Sequence, residues 1–255
     1  MSGNNNDIYM SQKAKKRIFL DTKELYKYPM NDMGIYYQND EDDISIGYAL
    51  IVGPDNTPYH YGYYMFQFKF PIDYPFRPPI VSFLTNDGTT RYNPNLYRNG
   101  KVCLSMLNTW DGPSWQPCQT IRSTLLSILT NVFVDNPITN EPGVLNHNRD
   151  NTAYNEIIRF KNLEFACLSI YKNNTIKHRA YDVFLPTIQS HFKKNYESIV
   201  TYSLTCCNKF NSVIEDLNKQ NMFYKGYLNT HLYKMSVRID YETVINGIAA
   251  LELSK

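Results

Sequence analysis

The sequence predicts an α+β fold, in which a four-stranded antiparallel meander with flanking helices is followed by a helical C-terminal extension. Between residues 34 and 84, four short segments rich in aromatic and β-branched residues follow one another, and turns too short for a helical crossover join them. Helical periodicity precedes and follows this region. After about residue 176 the strand signals stop, and apolar residues recur at helical spacing only.

Each element has its own signal. The first helix has a basic start and one apolar face, and Thr120 can cap a later helix. The predicted elements are helix 11–28, strands 34–38, 44–52, 63–70 and 79–84, and helices 120–134 and 150–171. Residues 85–119 lack periodicity, and so long a loop inside a compact domain is often functional. We therefore expect a disordered N-terminus (1–10), a core (11–175) and a helical extension (176–255).

Composition narrows the function classes. The net charge of +2 is too small for a field that would gather nucleic acid or membrane phosphates. The first ten residues lack the apolar segment of a secretory signal, and no apolar run approaches the roughly 20 residues of a membrane span. Five cysteines without CxxC spacing and five scattered histidines predict reduced thiols in the cytoplasm or nucleus, without disulfides or a metal site. The abundance of Tyr, Asn and Lys is typical of an AT-rich genome, such as that of a large virus or a protist.

The stretch RYNPNLYRNGKVCLSML (91–107) holds the candidate chemistry. The thiolate of Cys103 could hold an acyl group as a thioester, and no histidine lies between residues 61 and 146 to activate water against it. Acyl transfer also needs a donor for the tetrahedral oxyanion, which the side-chain amide of Asn95 can supply, while Pro94 restricts the turn. We expect Asn95 and Cys103 to border one shallow, open groove. Taken alone, the same residues also fit an ordinary turn and a buried small apolar side chain.

The wider pattern resembles the ubiquitin-conjugating enzymes over residues 11–171. The matching segments are GPDNTPYHYGYYMFQFKFPIDYPFRPPIVSF (53–83), YNPNLYRNGKVCLSML (92–107) and SWQPCQTIRSTLLSI (114–128). The motifs NPN, CLSML and TWDGP are most similar to the large Z-type members. The resemblance implies the ubiquitin-conjugating-enzyme fold and an acyltransferase. Ubiquitin, or a ubiquitin-like modifier, would arrive from an activating enzyme as a thioester and pass through this protein to a substrate lysine or a ligase. No metal or organic cofactor is implied, because ATP is consumed upstream.

The resemblance also implies roles for single residues. Cys103 is similar to the thioester cysteine, and Asn95 to the asparagine that stabilises the oxyanion or orders the adjacent loop. Asn93 stands where most members have a histidine with a structural role, and Ser105 where many have an acidic residue. The stretch ITNEPG (138–143) falls where the family gates the active site, and Asn140 within it would orient the attacking amine.

Partner surfaces follow from the same resemblance. Phe76, Pro117 and Cys118 match the two loops that meet ubiquitin ligases, and Lys13, Lys16 and Arg17 match the basic first helix that meets the activating enzyme. Two structural alternatives stay open, namely a Phe76 that packs inside the Pro-rich loop and a basic helix face that is merely solvated. Trp110 and Trp115 are expected to rigidify the loop over Cys103.

Two other functions remain open from the sequence. One is a scaffold of the same fold that binds ubiquitin or a ligase without turnover. The other is a cysteine hydrolase, which would pair Cys103 with the distant His147.

Overall fold

A four-stranded antiparallel sheet forms the centre of the fold in the computed structural model, which describes residues 10–172 and 176–251. Its strands are β1 (Ile35–Asn39), β2 (Ile46–Val52), β3 (Tyr63–Lys69) and β4 (Ile80–Phe83). They pair in sequence order, so the predicted meander is confirmed, with bounds within two residues of those expected.

Helices α1 (Gln12–Lys27) and α2 (Ile121–Val132) flank the sheet. The Ser11 side chain accepts a hydrogen bond from Ala14 N–H, and Thr120 forms a capping box with Ser123, as the sequence predicted for Thr120. Because side chains alternate along a strand, Tyr64 and Phe66 of β3 point towards Phe133 at the end of α2, with ring centroids 4.7 and 6.4 Å away.

The predicted helix 150–171 is confirmed, but its hydrogen bonding changes along its length. Helix α3 (Asn151–Lys161) continues as a π-helix over Asn162–Ser169. The buried Asn162 lies at the junction, where its Oδ1 accepts from Tyr64 O–H at 2.6 Å and its Nδ2 donates to His60 O at 2.7 Å. These bonds fix the helix against the start of β3.

The C-terminal extension contains helices α4 (Arg179–Lys194), α5 (Tyr196–Lys219) and α6 (Tyr241–Ala249), as predicted. The prediction of a purely helical extension is wrong for residues 223–238, which form a three-stranded sheet. Its strands are β5 (Phe223–Tyr224), β6 (Tyr227–Asn229) and β7 (Ser236–Arg238). Strands of two or three residues are too short to show the alternation by which a strand is recognised.

The extension packs on the outer face of the central sheet. Tyr63 O–H lies 3.1 Å from Nδ1 of His191 in α4, and the Tyr48 ring meets that of His178 edge-on. Buried side chains of the extension and of the sheet form one hydrophobic core. The expected disorder of residues 1–10 lies outside the described residues except at Met10, and the expected boundary at 175 falls on residues 173–175, which also lie outside them. Within the described part of the chain, no helix is long and apolar enough to cross a bilayer.

Candidate functional site

The NPN turn is anchored by the buried Asn93. Its Nδ2 donates to Val132 O at 2.7 Å and to the Tyr59 hydroxyl at 3.1 Å, and its Oδ1 accepts from Asn95 N–H at 2.8 Å. Asparagine therefore performs a structural role at the position where the resemblance implied a histidine, because every polar atom of its side chain finds a partner.

Asn95 and Cys103 are joined directly, through two hydrogen bonds. Cys103 N–H donates to Asn95 O at 2.9 Å, and Asn95 Nδ2 donates to Cys103 O at 2.7 Å. In this conformation the Asn95 amide orders the backbone that carries the sulfur, which is one of the two roles the sequence left open. Both bonds involve the backbone of Cys103 and not its sulfur.

The predicted gate adds a third side chain to this cluster. Asn140 ends a 3₁₀ turn (Pro137–Asn140), and its Nδ2 donates to Asn131 O at 2.7 Å and to Asn95 Oδ1 at 3.0 Å. A third acceptor, Asn93 Oδ1, lies 3.3 Å away. The two hydrogens of this amide are thus engaged within the protein, and Asn140 connects the gate to the NPN turn.

The expectation of an open groove is wrong for this conformation. Cys103 exposes 1% of its surface and Asn95 exposes 7%. The following loop folds back here, since the Thr109 hydroxyl donates to Val102 O at 2.9 Å and accepts from Leu104 N–H at 3.0 Å. Thr109 therefore bridges the residues on either side of Cys103, a contact that no motif in the sequence indicates.

Ser105 lies just beyond the cysteine, at the start of a 3₁₀ turn (Ser105–Leu107). Gly112, with φ of 128°, passes so close that a Cβ added there would sit 3.0 Å from Ser105 Cβ. A side chain at position 112 would therefore crowd the loop as well as strain the backbone. Ser105 offers no charged group at this position, where the resemblance implied an acidic residue in many members.

The two predicted ligase loops lie side by side. Trp115, which is buried, donates its Nε1–H to Pro75 O at 2.6 Å and so ties the loops together. Phe76 is 68% exposed, which excludes the alternative in which it packs inside the Pro-rich loop. Pro117 and Cys118 of the second loop are also exposed.

The basic residues at the start of α1 differ in their surroundings. Lys13 and Lys16 are exposed. Arg17 is not free, because its Nη1 donates to Pro117 O at 2.7 Å, its Nη2 to Gln119 O, and its Nε pairs with the buried Asp21. Arg17 thus ties α1 to the second predicted ligase loop, and the contact of Lys13, Lys16 and Arg17 with an activating enzyme stays a prediction.

Arg91 is a further residue of the site that the sequence did not single out. Its Nε donates to Asn93 O at 3.1 Å and its Nη2 to Pro94 O at 2.6 Å. The sequence gives no signal for Arg91, because its acceptors are backbone carbonyls, which every residue carries. The alternative base His147 is exposed, and no hydrogen bond among the described residues joins it to Cys103.

Comparison with known proteins gives a consistent result. Residues 17–161 match the family described as ubiquitin-conjugating enzyme. The chain is 37% identical over 216 residues to ubiquitin-conjugating enzyme E2 Z of Xenopus tropicalis, covering 84% of this chain and 66% of that protein. It is 45% identical over 153 residues to E2 Z of Homo sapiens, covering 59% and 42% respectively.

Two further similarities are to a viral protein and to a solved structure. A probable ubiquitin-conjugating enzyme of Acanthamoeba polyphaga mimivirus is 32% identical over 196 residues, covering 72% of this chain and 13% of that one. Among solved structures, human ubiquitin-conjugating enzyme E2 G1 is similar with a TM-score of 0.41 and 30% identity, over 48% of this chain and 95% of that one. This chain spans about two thirds or less of the length of the curated relatives.

Proposed function

Because the chain belongs to the ubiquitin-conjugating enzyme family, we propose that it carries ubiquitin or a related modifier as a thioester on Cys103. The modifier would pass from an activating enzyme to this protein and then to a substrate lysine or a ligase cysteine. The observation that carries the proposal is the joining of Asn95 to Cys103 by the 2.7 Å hydrogen bond between Nδ2 and O.

The proposed reaction consists of two acyl transfers. The Cys103 thiolate attacks the thioester carbonyl at the modifier's C-terminus, and the activating enzyme's thiolate leaves. An amine or a ligase thiolate then attacks the new thioester, and the Cys103 thiolate leaves as the amide or thioester forms. Asn95 keeps the backbone of Cys103 in place and has a second amide hydrogen that could reach the oxyanion after a small rotation.

The burial of Cys103 requires one movement in this scheme. A sulfur that is 1% exposed cannot reach a bulky carbonyl partner unless a neighbouring segment moves. We infer that the loop held by the Thr109 hydroxyl shifts, because its hydrogen bonds join the backbone of Val102 and Leu104, the residues on either side of Cys103.

Two exposed surfaces fit the partners that this function requires. Phe76 offers an exposed apolar anchor for a ligase, on a loop that Trp115 ties to the loop of the exposed Pro117 and Cys118. Lys13 and Lys16 offer a positive patch for an acidic face of an activating enzyme, where complementary charge chiefly raises the rate of association.

A charging experiment tests the proposal. Purified full chain, an activating enzyme, ATP and ubiquitin or another modifier should give an adduct on a non-reducing gel that a thiol reductant removes. Cys103→Ala should abolish the adduct, and the matched control Cys118→Ala, at an exposed cysteine, should retain it. An adduct that persists in Cys103→Ala would place the reactive residue elsewhere.

The burial of Cys103 also favours a second candidate, a scaffold that binds ubiquitin or a ligase without turnover. Measurable binding of ubiquitin, together with no adduct from any of a panel of activating enzymes and modifiers, would support this candidate over the first.

A further inference from the structure

A loop of the C-terminal extension, residues 230–235, lies against the candidate site. Tyr233 O–H donates to the carboxylate of Glu141, and Tyr233 O accepts from Arg98 Nη2 at 2.8 Å. The backbone N–H of Arg91 lies 3.4 Å from Met235 Sδ. Over 90 residues separate these partners in sequence, and none of the contacts has a part in the proposed chemistry.

Tyr233 reaches the gate through its hydroxyl. Glu141, which accepts that hydrogen bond, directly follows Asn140. The Asn140 amide in turn donates to Asn95 Oδ1 at 3.0 Å. The Tyr233 hydroxyl therefore helps to fix the gate, and the gate in turn fixes Oδ1 of Asn95 through Asn140.

Tyr233 reaches the NPN turn through its ring. The guanidinium of Arg91 lies 3.4 Å from the ring centroid of Tyr97 and 5.0 Å from that of Tyr233. The same guanidinium donates to Asn93 O and Pro94 O. Because a cation between two aromatic rings is restricted in position, the Tyr233 ring helps to hold the two carbonyls of the turn.

The loop that presents Tyr233 is itself tightly held. Tyr233 and Lys234 have φ of 61° and 48°, left-handed conformations that a non-glycine residue keeps only where its surroundings enforce them. The buried Asp150 carboxylate accepts from the backbone N–H of Leu232 at 2.5 Å and of His231 at 3.1 Å. The buried Asp150 therefore fixes the loop 230–235, and this loop places Tyr233 against Glu141 and Arg91.

We propose that Tyr233 is a positioning residue that aligns the gate with the NPN turn for transfer of the modifier. The expected effect of Tyr233 on the rate of modifier transfer rests on the proposed function. Tyr233 does not touch the reacting atoms, and it acts through Glu141 on one side and Arg91 on the other.

The kinetic test follows discharge of the preformed thioester to free lysine at increasing lysine concentration. Full-chain Tyr233→Ala should charge to the same extent as wild type, with a limiting discharge rate about tenfold lower and a half-saturating lysine concentration within about twofold, because small misplacements slow catalysis steeply. Tyr233→Phe, which keeps the ring beside Arg91, should restore part of that rate. Tyr224→Ala, at an exposed tyrosine of the same small sheet, should match wild type.

Amide hydrogen exchange supplies a readout that needs no partner. Tyr233→Ala should speed exchange in both 91–97 and 137–144 relative to wild type and Tyr224→Ala, with exchange in the central sheet unchanged. Unchanged exchange in these segments, or a wild-type discharge rate in Tyr233→Ala, would overturn the proposal. A wild-type chain that never charges would instead count against the proposed function, and the exchange comparison would still decide whether Tyr233 couples the two segments.

Discussion

The side-chain Nδ2 of Asn95 donates to the backbone carbonyl of Cys103 at 2.7 Å, while the side-chain Oδ1 of Asn95 accepts from Asn140 Nδ2 at 3.0 Å. Asn95 therefore holds the backbone of Cys103 in place, and we propose that the same side-chain amide also serves the oxyanion. One substitution should therefore separate charging from transfer.

We expect Asn95→Ala to leave formation of the Cys103 adduct intact and to slow its discharge to lysine by about 10²-fold, since loss of one oxyanion donor typically has this effect. Single-turnover discharge of the purified adduct measures this rate. Asn99→Ala, at an exposed asparagine of the same loop, serves as the control. Equal discharge rates for Asn95→Ala and wild type would remove Asn95 from the mechanism.

Asn93→Ala should instead reduce stability. The substitution leaves Val132 O and Asn95 N–H, both buried partners, without their hydrogen bonds. Buried groups left unpaired cost about 1–3 kcal/mol each, so the free energy of unfolding should fall by at least about 2 kcal/mol. Urea titration measures it, with Asn208→Ala on the exposed face of α5 as the control. A change no larger than that of the control would contradict the anchoring role.

The double substitution of Lys13→Glu and Lys16→Glu should slow charging by roughly tenfold at low salt, and by less at high salt, because the patch would act through screened attraction to an acidic partner. Stopped reactions at several salt concentrations measure the rate. Lys193→Glu with Lys194→Glu, on α4, changes the net charge equally and should have little effect. Equal slowing by both pairs would show a response to net charge and not to this patch.

Asp150 should make stability depend on pH. Burial acts to raise the pKa of its carboxyl, but the hydrogen bonds from Leu232 and His231 outweigh burial and lower that pKa below the ordinary value. A carboxyl whose pKa is lower in the folded state stabilises the fold above its unfolded pKa, about 3.9, and this contribution is lost as the pH falls through the folded pKa.

Asp150→Asn should therefore lower the free energy of unfolding at pH 7, and its difference from wild type should shrink as the pH falls below about 4. Urea titrations at pH 7, 5 and 3.5 measure the difference, with the exposed Asp111→Asn as the control. A difference that stays constant with pH would contradict this account of Asp150.

The central sheet and the first helices could be predicted because their signals are local. Strands β1 to β4 are four to seven residues long, and their alternation and turns are visible in the sequence. The strands of 223–238 could not be predicted, because segments of two or three residues carry no period.

The candidate site shows the same division. Asn95 and Cys103 were recognised from spacing and resemblance, and the structure joins them. The burial of Cys103 was missed, since it depends on where the Thr109 loop settles. The bonds of Arg17 to Pro117 O and Gln119 O could not be predicted, because these partners lie about 100 residues away. Tyr233 reaches Glu141 across 92 residues, so no local pattern could have placed it at the site.

The central claim is that the sulfur of Cys103 carries the modifier. Wild-type protein charged with modifier, digested under acidic and non-reducing conditions, can be mapped by tandem mass spectrometry. The account predicts that the C-terminal remnant of the modifier is attached to the Cys103 sulfur and is released by a thiol reductant. A remnant found on another cysteine or on a lysine, with Cys103 unmodified, would contradict it.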